Sequence, residues 1–68
     1  MKIFFTKHSL VERMIHLGDI YYLLEKPDYV KSSWGNRVLM GKKFEQNILE
    51  VVCIKKENKI IILTIYYL

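Results

Sequence analysis

ILEVVCIKKENKIIILTIYYL, Ile48 to Leu68, is the stretch whose reading decides the fold. Two β-branched, strongly apolar runs, Ile48–Ile54 and Ile60–Tyr67, flank the polar segment Lys55–Lys59. Runs of this kind around turn-forming residues predict a hairpin of two strands. Each run is nearly continuous rather than alternating, which places both strands inside a sheet with at least one face covered. One polar residue interrupts each run: Glu50 in the first, Thr64 in the second. Strict alternation predicts Ile60, Ile62, Thr64 and Tyr66 on one face, and Ile61, Leu63, Ile65 and Tyr67 on the other. The hydroxyl pair Thr64 and Tyr66 then either fills a polar pocket or marks a site.

The upstream residues supply the rest of the sheet. Tyr29–Trp34 reads as a strand, Gly35–Asn36 as a tight turn and Arg37–Lys43 as the returning strand. Gly41 inside that strand suggests a bulge, and Glu45–Asn47 turns into the terminal hairpin. At the other end, Lys2–Phe5 reads as a short strand. Thr6, or Ser9 with Glu12, can cap a helix whose apolar stripe is Leu10, Val11, Met14, Ile15 and Leu17. Gly18 suits its stop and Asp19 the cap of a second helix, Ile20–Lys26, which buries Ile20, Leu23 and Leu24 and ends at Pro27. The expected architecture is α+β: an N-terminal short strand and two helices packed on a four-stranded antiparallel sheet.

Sixty-eight residues make one small domain, 1–68, with a modest core. A single cysteine, Cys53, excludes an internal disulfide and a Cys-rich metal site, and mid-strand it reads as a small buried hydrophobe. No secretory signal or membrane-spanning run is evident, so a cytoplasmic location is expected. The net charge of +4 is a mild bias toward polyanions. The 51% apolar content predicts leftover apolar surface, shielded by a homodimer or another protein partner.

Several residues could carry chemistry. His8 lies near the positive end of the first helix, where the dipole favours a neutral imidazole and a nearby phosphate. It is either a general base or an exposed first-turn histidine. Glu12 is four residues from both His8 and His16, though solvated helix charges explain that spacing, and no second ligand makes His16 a metal site. Arg37 matches phosphate oxygens in bidentate fashion. Lys42 and Lys43 lie on the same strand, and Lys55, Lys56 and Lys59 gather at the last turn, where lysines usually serve solubility. Trp34 and Tyr29 can stack bases or pack in a core or dimer.

In order, the segments KHSLVERM, LLEKPDYV, WGNRVLMGKKF, ILEVVCIKK and IIILTIYYL resemble a group of small prokaryotic domains. These are related to the barnase–EndoU–colicin–RelE class of metal-independent ribonucleases, with phage- and toxin-type members. The resemblance covers nearly the whole chain. Its sharpest features are a His and an Arg opening the first helix, Leu-Glu-x-Pro-Asp after the second, and Thr-x-Tyr ending the last strand. It implies RNA cleavage by 2′-hydroxyl attack without metal or other cofactor. It also implies an acidic antitoxin-type protein as partner. The residues it carries over are His8 as base or acid, Arg13 and Arg37 as phosphate clamps, Lys43 as auxiliary cation, and Thr64 and Tyr66 as orienting hydroxyls. Leu17 departs from the pattern, since many relatives have Arg there. A binding module that keeps the scaffold without cleaving is the alternative expectation, and a structural dimer built on aromatic strands is a third.

Overall fold

The computed structural model describes residues 2–6 and 15–68. In chain order these form β1 (Lys2–Phe5), α1 (Leu17–Glu25), β2 (Tyr29–Ser32), β3 (Arg37–Phe44), β4 (Asn47–Lys56) and β5 (Lys59–Tyr67). The sheet order is β1-β5-β4-β3-β2. β2 to β5 form an antiparallel meander, whereas β1 pairs with β5 in parallel, Ile3 opposite Ile60 and Phe5 opposite Ile62.

This corrects the expected α+β arrangement of two helices on a four-stranded antiparallel sheet. The described residues are mostly β, with five strands in a mixed sheet and one short helix. Lys2–Phe5 supplies the fifth strand, because its backbone groups and apolar side chains are satisfied by joining β5 at the sheet edge. The first expected helix falls largely on residues 7–14, outside the described ones. Gly18 and Asp19 do not separate two helices; both lie inside α1, which begins after His16 without a side-chain cap. A glycine in a first turn costs only about 1 kcal/mol, and Asp19 in that turn faces the positive end of the helix dipole.

α1 lays Ile20, Leu23 and Leu24, spaced three and four apart, onto one face of the sheet. Beneath it Met40, Leu49, Val51, Cys53, Ile60, Ile62 and Ile65 are buried. Tyr22 meets Phe44 edge-on, and the Lys42 ammonium lies 4.7 Å from the Tyr22 ring centroid. Lys42 Nζ also donates to the Lys26 carbonyl at 2.7 Å and pairs with Asp28 at 3.4 Å, while Asp28 accepts the Lys43 backbone N–H at 2.8 Å. These contacts fix the chain after Pro27 to β3. The Lys43 N–H, then Lys42, hold the Asp28 carboxyl below its usual range.

One irregularity redistributes the faces of β5. Cys53 is opposite Ile62, but Val52 is opposite Thr64, so Leu63 is an extra residue with no cross-strand partner. The bulge moves Ile65 and Tyr67 to the helix face beside Ile60 and Ile62, and moves Thr64 and Tyr66 to the opposite face with Ile61. The expected grouping of Ile60, Ile62, Thr64 and Tyr66 is therefore split at Leu63, although Thr64 and Tyr66 stay together. The Thr6 hydroxyl donates to the Leu63 carbonyl at 3.2 Å and the Thr6 N–H to the Ile62 carbonyl at 3.1 Å. Cys53 is fully buried, its sulfur 4.0 Å from that of Met40, and burial raises its thiol pKa.

The β3–β4 turn places Glu45 at φ 52°, the left-handed region that side chains with a Cβ disfavour. Glu45→Gly is expected to stabilise the protein by about 1 kcal/mol, read as a raised midpoint in urea unfolding with an unchanged slope.

Candidate functional site

The sheet face turned away from α1 carries the candidate chemistry. Cross-strand partners share a face, so the register places Tyr29, Gly41, Glu50 and Tyr66 in one row across β2, β3, β4 and β5. The next row toward the β2–β3 turn is Lys31, Leu39, Val52 and Thr64. Beyond it lie Arg37, Ile54, Ile61 and Phe4. No described helix lies on this face, and most of its side chains are half-buried.

Its centre is Glu50. The Tyr29 hydroxyl donates to Glu50 Oε2 and the Tyr66 hydroxyl donates to Oε1 at 2.7 Å. The two phenols approach from strands on opposite sides of β4. Tyr29 starts two strands away, and its ring reaches Glu50 by lying over Gly41. A methyl group built at Gly41 would overlap that ring. Gly41 is thus not a bulge, since β3 and β4 stay in register through it. It is a glycine because an aromatic ring occupies the space above it. The Tyr29 hydrogen bond, then that of Tyr66, holds the Glu50 carboxyl below its ordinary range. The same carboxylate pushes the Tyr29 phenol up to about 12 and raises that of Tyr66. At neutral pH the cluster is one carboxylate and two phenols, with the Lys31 charge nearby.

Of the residues expected to form a site, Arg37, Lys43, Thr64 and Tyr66 all lie on this face, whereas His8 and Arg13 lie outside the described residues. The four do not converge on one point. Arg37 and Lys43 are six positions apart on β3, roughly 20 Å at strand rise. Thr64 and Tyr66 sit between those two levels. The Arg37 guanidinium instead lies 5.1 Å from the Trp34 ring centroid. Glu50 and Tyr29 were not singled out as a pair by the sequence, although a lone carboxylate in an apolar interior strand is a signal that hydroxyl partners must be near. Lys55, Lys56 and Lys59 are exposed at the β4–β5 turn, at the same end of the sheet as Arg37. Among the described residues, no cluster of His, Cys, Asp or Glu could hold a metal ion, and no helix is long and apolar enough to cross a membrane.

A family model described as a domain of unknown function, DUF4258, matches residues 5–67 of the chain. No curated protein and no solved structure matches.

The cluster has a pH signature. Glu50's lowered pKa adds stability that is full above the ordinary carboxylate range and lost as pH falls through the lowered value. Tyr29's raised pKa adds stability that is full below 10.0 and lost as pH rises through about 12. In a tyrosinate absorbance titration, the phenol titrating near 12 is expected to vanish in Tyr29→Phe and to return toward 10.0 in Glu50→Gln. An unaltered titration in Glu50→Gln would refute the cluster. Gly41→Ala is expected to cost about 1–3 kcal/mol by displacing the ring, measurable by chemical denaturation.

Proposed function

The chain belongs to the DUF4258 family, whose description assigns no activity; from the layout of the sheet we propose that it acts on RNA as a metal-independent endoribonuclease, its substrate crossing the sheet face opposite α1. The observation that carries the reading is the sharing of that one face by Arg37, Lys43, Thr64 and Tyr66. The net charge of +4 agrees with a polyanionic substrate.

In the reaction the ribose 2′-oxygen attacks the adjacent phosphorus, a 2′-O–P bond forms and the P–O5′ bond breaks. The 2′-proton passes to a base, and an acid returns a proton to the departing 5′-oxygen. His8 is the candidate for one of these roles. Arg37 and Lys43, at separate levels of β3, offset charge on well-separated phosphates of the RNA. Tyr66 has committed its proton to Glu50, so its oxygen faces the substrate as an acceptor, suited to a sugar hydroxyl rather than a phosphate. Thr64, one row away, can donate or accept. An acidic protein covering the same face would inhibit such an enzyme.

A second reading, RNA binding without cleavage, is favoured by the spacing of Arg37 and Lys43, roughly 20 Å apart along β3 and too far to clamp one phosphate. A single experiment separates the two. Purified protein is incubated with RNA in the presence of a chelator. The nuclease is expected to leave 2′,3′-cyclic phosphate ends, and His8→Ala and Arg37→Ala are expected to lower the rate about tenfold or more. RNA bound but intact supports the binding module. RNA neither bound nor cut refutes both.

A further inference from the structure

Trp34 is the sole tryptophan of the chain and, at 79% exposure, the most exposed large apolar side chain among the described residues. It sits on the short connection between β2 and β3. The Ser33 N–H donates to the Arg37 carbonyl at 2.8 Å and the Arg37 N–H to the Trp34 carbonyl at 3.3 Å. Gly35, at φ 68°, takes the left-handed position this closure requires. The indole is therefore presented by a closed turn. The guanidinium carbon of Arg37 lies 5.1 Å from the ring centroid, so a cation is stacked against one side of the indole while most of the ring meets solvent.

The surroundings determine what such a ring would take. Meander topology brings the β2–β3 and β4–β5 turns to the same end of the sheet. Lys55, Lys56 and Lys59 gather there, with Lys2 paired beside Lys59. Lys31, on the same face as Arg37, is one row away. An apolar protein segment would find one indole among cations and the polar Ser33 and Asn36. A nucleotide offers a planar base for the ring and a phosphate for the cations, which matches both features. Base pairing buries base faces within a duplex, so the ring requires an unpaired base.

We propose that Trp34 and Arg37 form a stacking subsite for an unpaired nucleotide of single-stranded RNA, at the lysine-rich end of the sheet. This rests on the RNA reading above and adds to it the substrate class and the place where the strand is gripped. Trp34 stacks the base, and the Arg37 guanidinium, held against the ring, meets the flanking phosphate. The strand then runs along the face toward Thr64 and Tyr66, one and two rows away.

Because Trp34 is the only tryptophan, its fluorescence reports on this subsite alone. The full chain is titrated with an end-labelled, uncleavable 2′-O-methyl oligonucleotide, following tryptophan emission and label anisotropy together. Quenching that saturates with the anisotropy is expected for the single strand and not for its duplex. Trp34→Ala is expected to weaken single-strand binding about tenfold, with circular dichroism unchanged, and Trp34→Phe to retain most of the affinity. Anisotropy that rises without quenching, with Trp34→Ala binding as wild type, overturns the subsite while leaving the RNA reading intact. Equal quenching by the duplex overturns the choice of unpaired bases. Emission that responds to anionic lipid vesicles or an apolar peptide but not to RNA overturns the proposal. No anisotropy change with any RNA removes the RNA reading and this subsite together.

Discussion

A carboxylate in the middle of an apolar interior strand is the constraint around which the sheet is arranged. Glu50 sits between Leu49 and Val51, both fully buried on the helix side. Alternation turns it to the other face, where only partial solvation is available. Hydroxyl donors from β2 and β5 satisfy its two oxygens, and this requires Tyr29, Gly41, Glu50 and Tyr66 to share a row. A one-residue slip in any of the three pairings would send a phenol to the wrong face and leave the charge without its partner. The polar row thus selects one register among several that apolar strands alone would tolerate.

The two faces divide the work. On one, α1 covers the buried rows with Ile20 and Leu23, and a small chain obtains most of its apolar burial there. On the other, the polar row and the flanking cations interrupt what would be an apolar surface. Phe4, Ile54 and Ile61 still leave part of that face greasy toward the β1 side.

Much of this was legible from the residues. The terminal hairpin, the Gly35–Asn36 turn and the buried Cys53 follow from composition and alternation, which are local signals. The parallel pairing of β1 with β5 was not legible, because Ile3 and Ile60 are 57 positions apart and nothing local in KIFF names its neighbour. The role of Gly41 was missed for a related reason: the ring over it belongs to another strand, and only the register reveals the overlap. Gly18 misled in the opposite direction, since a helix tolerates one glycine when its later turns bury Ile20 and Leu23. Of the candidate site, Thr64 and Tyr66 stay on a common face as alternation predicts, and the expected strand Arg37–Lys43 already implied that its two cations lie far apart, as β3 places them.

The extra residue in β5 has a further effect at the border of the sheet. β1 is four residues long and accompanies β5 only from Lys59 to Ile62. Past that point the outer side of β5 has no strand neighbour among the described residues, and its sequence, Leu63–Tyr67, is of the kind that recruits foreign strands into amyloid-like stacks. Leu63 falls where β1 stops, breaking the flat ladder, and Thr6 occupies its carbonyl. A bulged margin whose carbonyl is already taken is a poor template for an added strand, so the residue that sorts side chains between the faces also interrupts the edge on which such a strand would form.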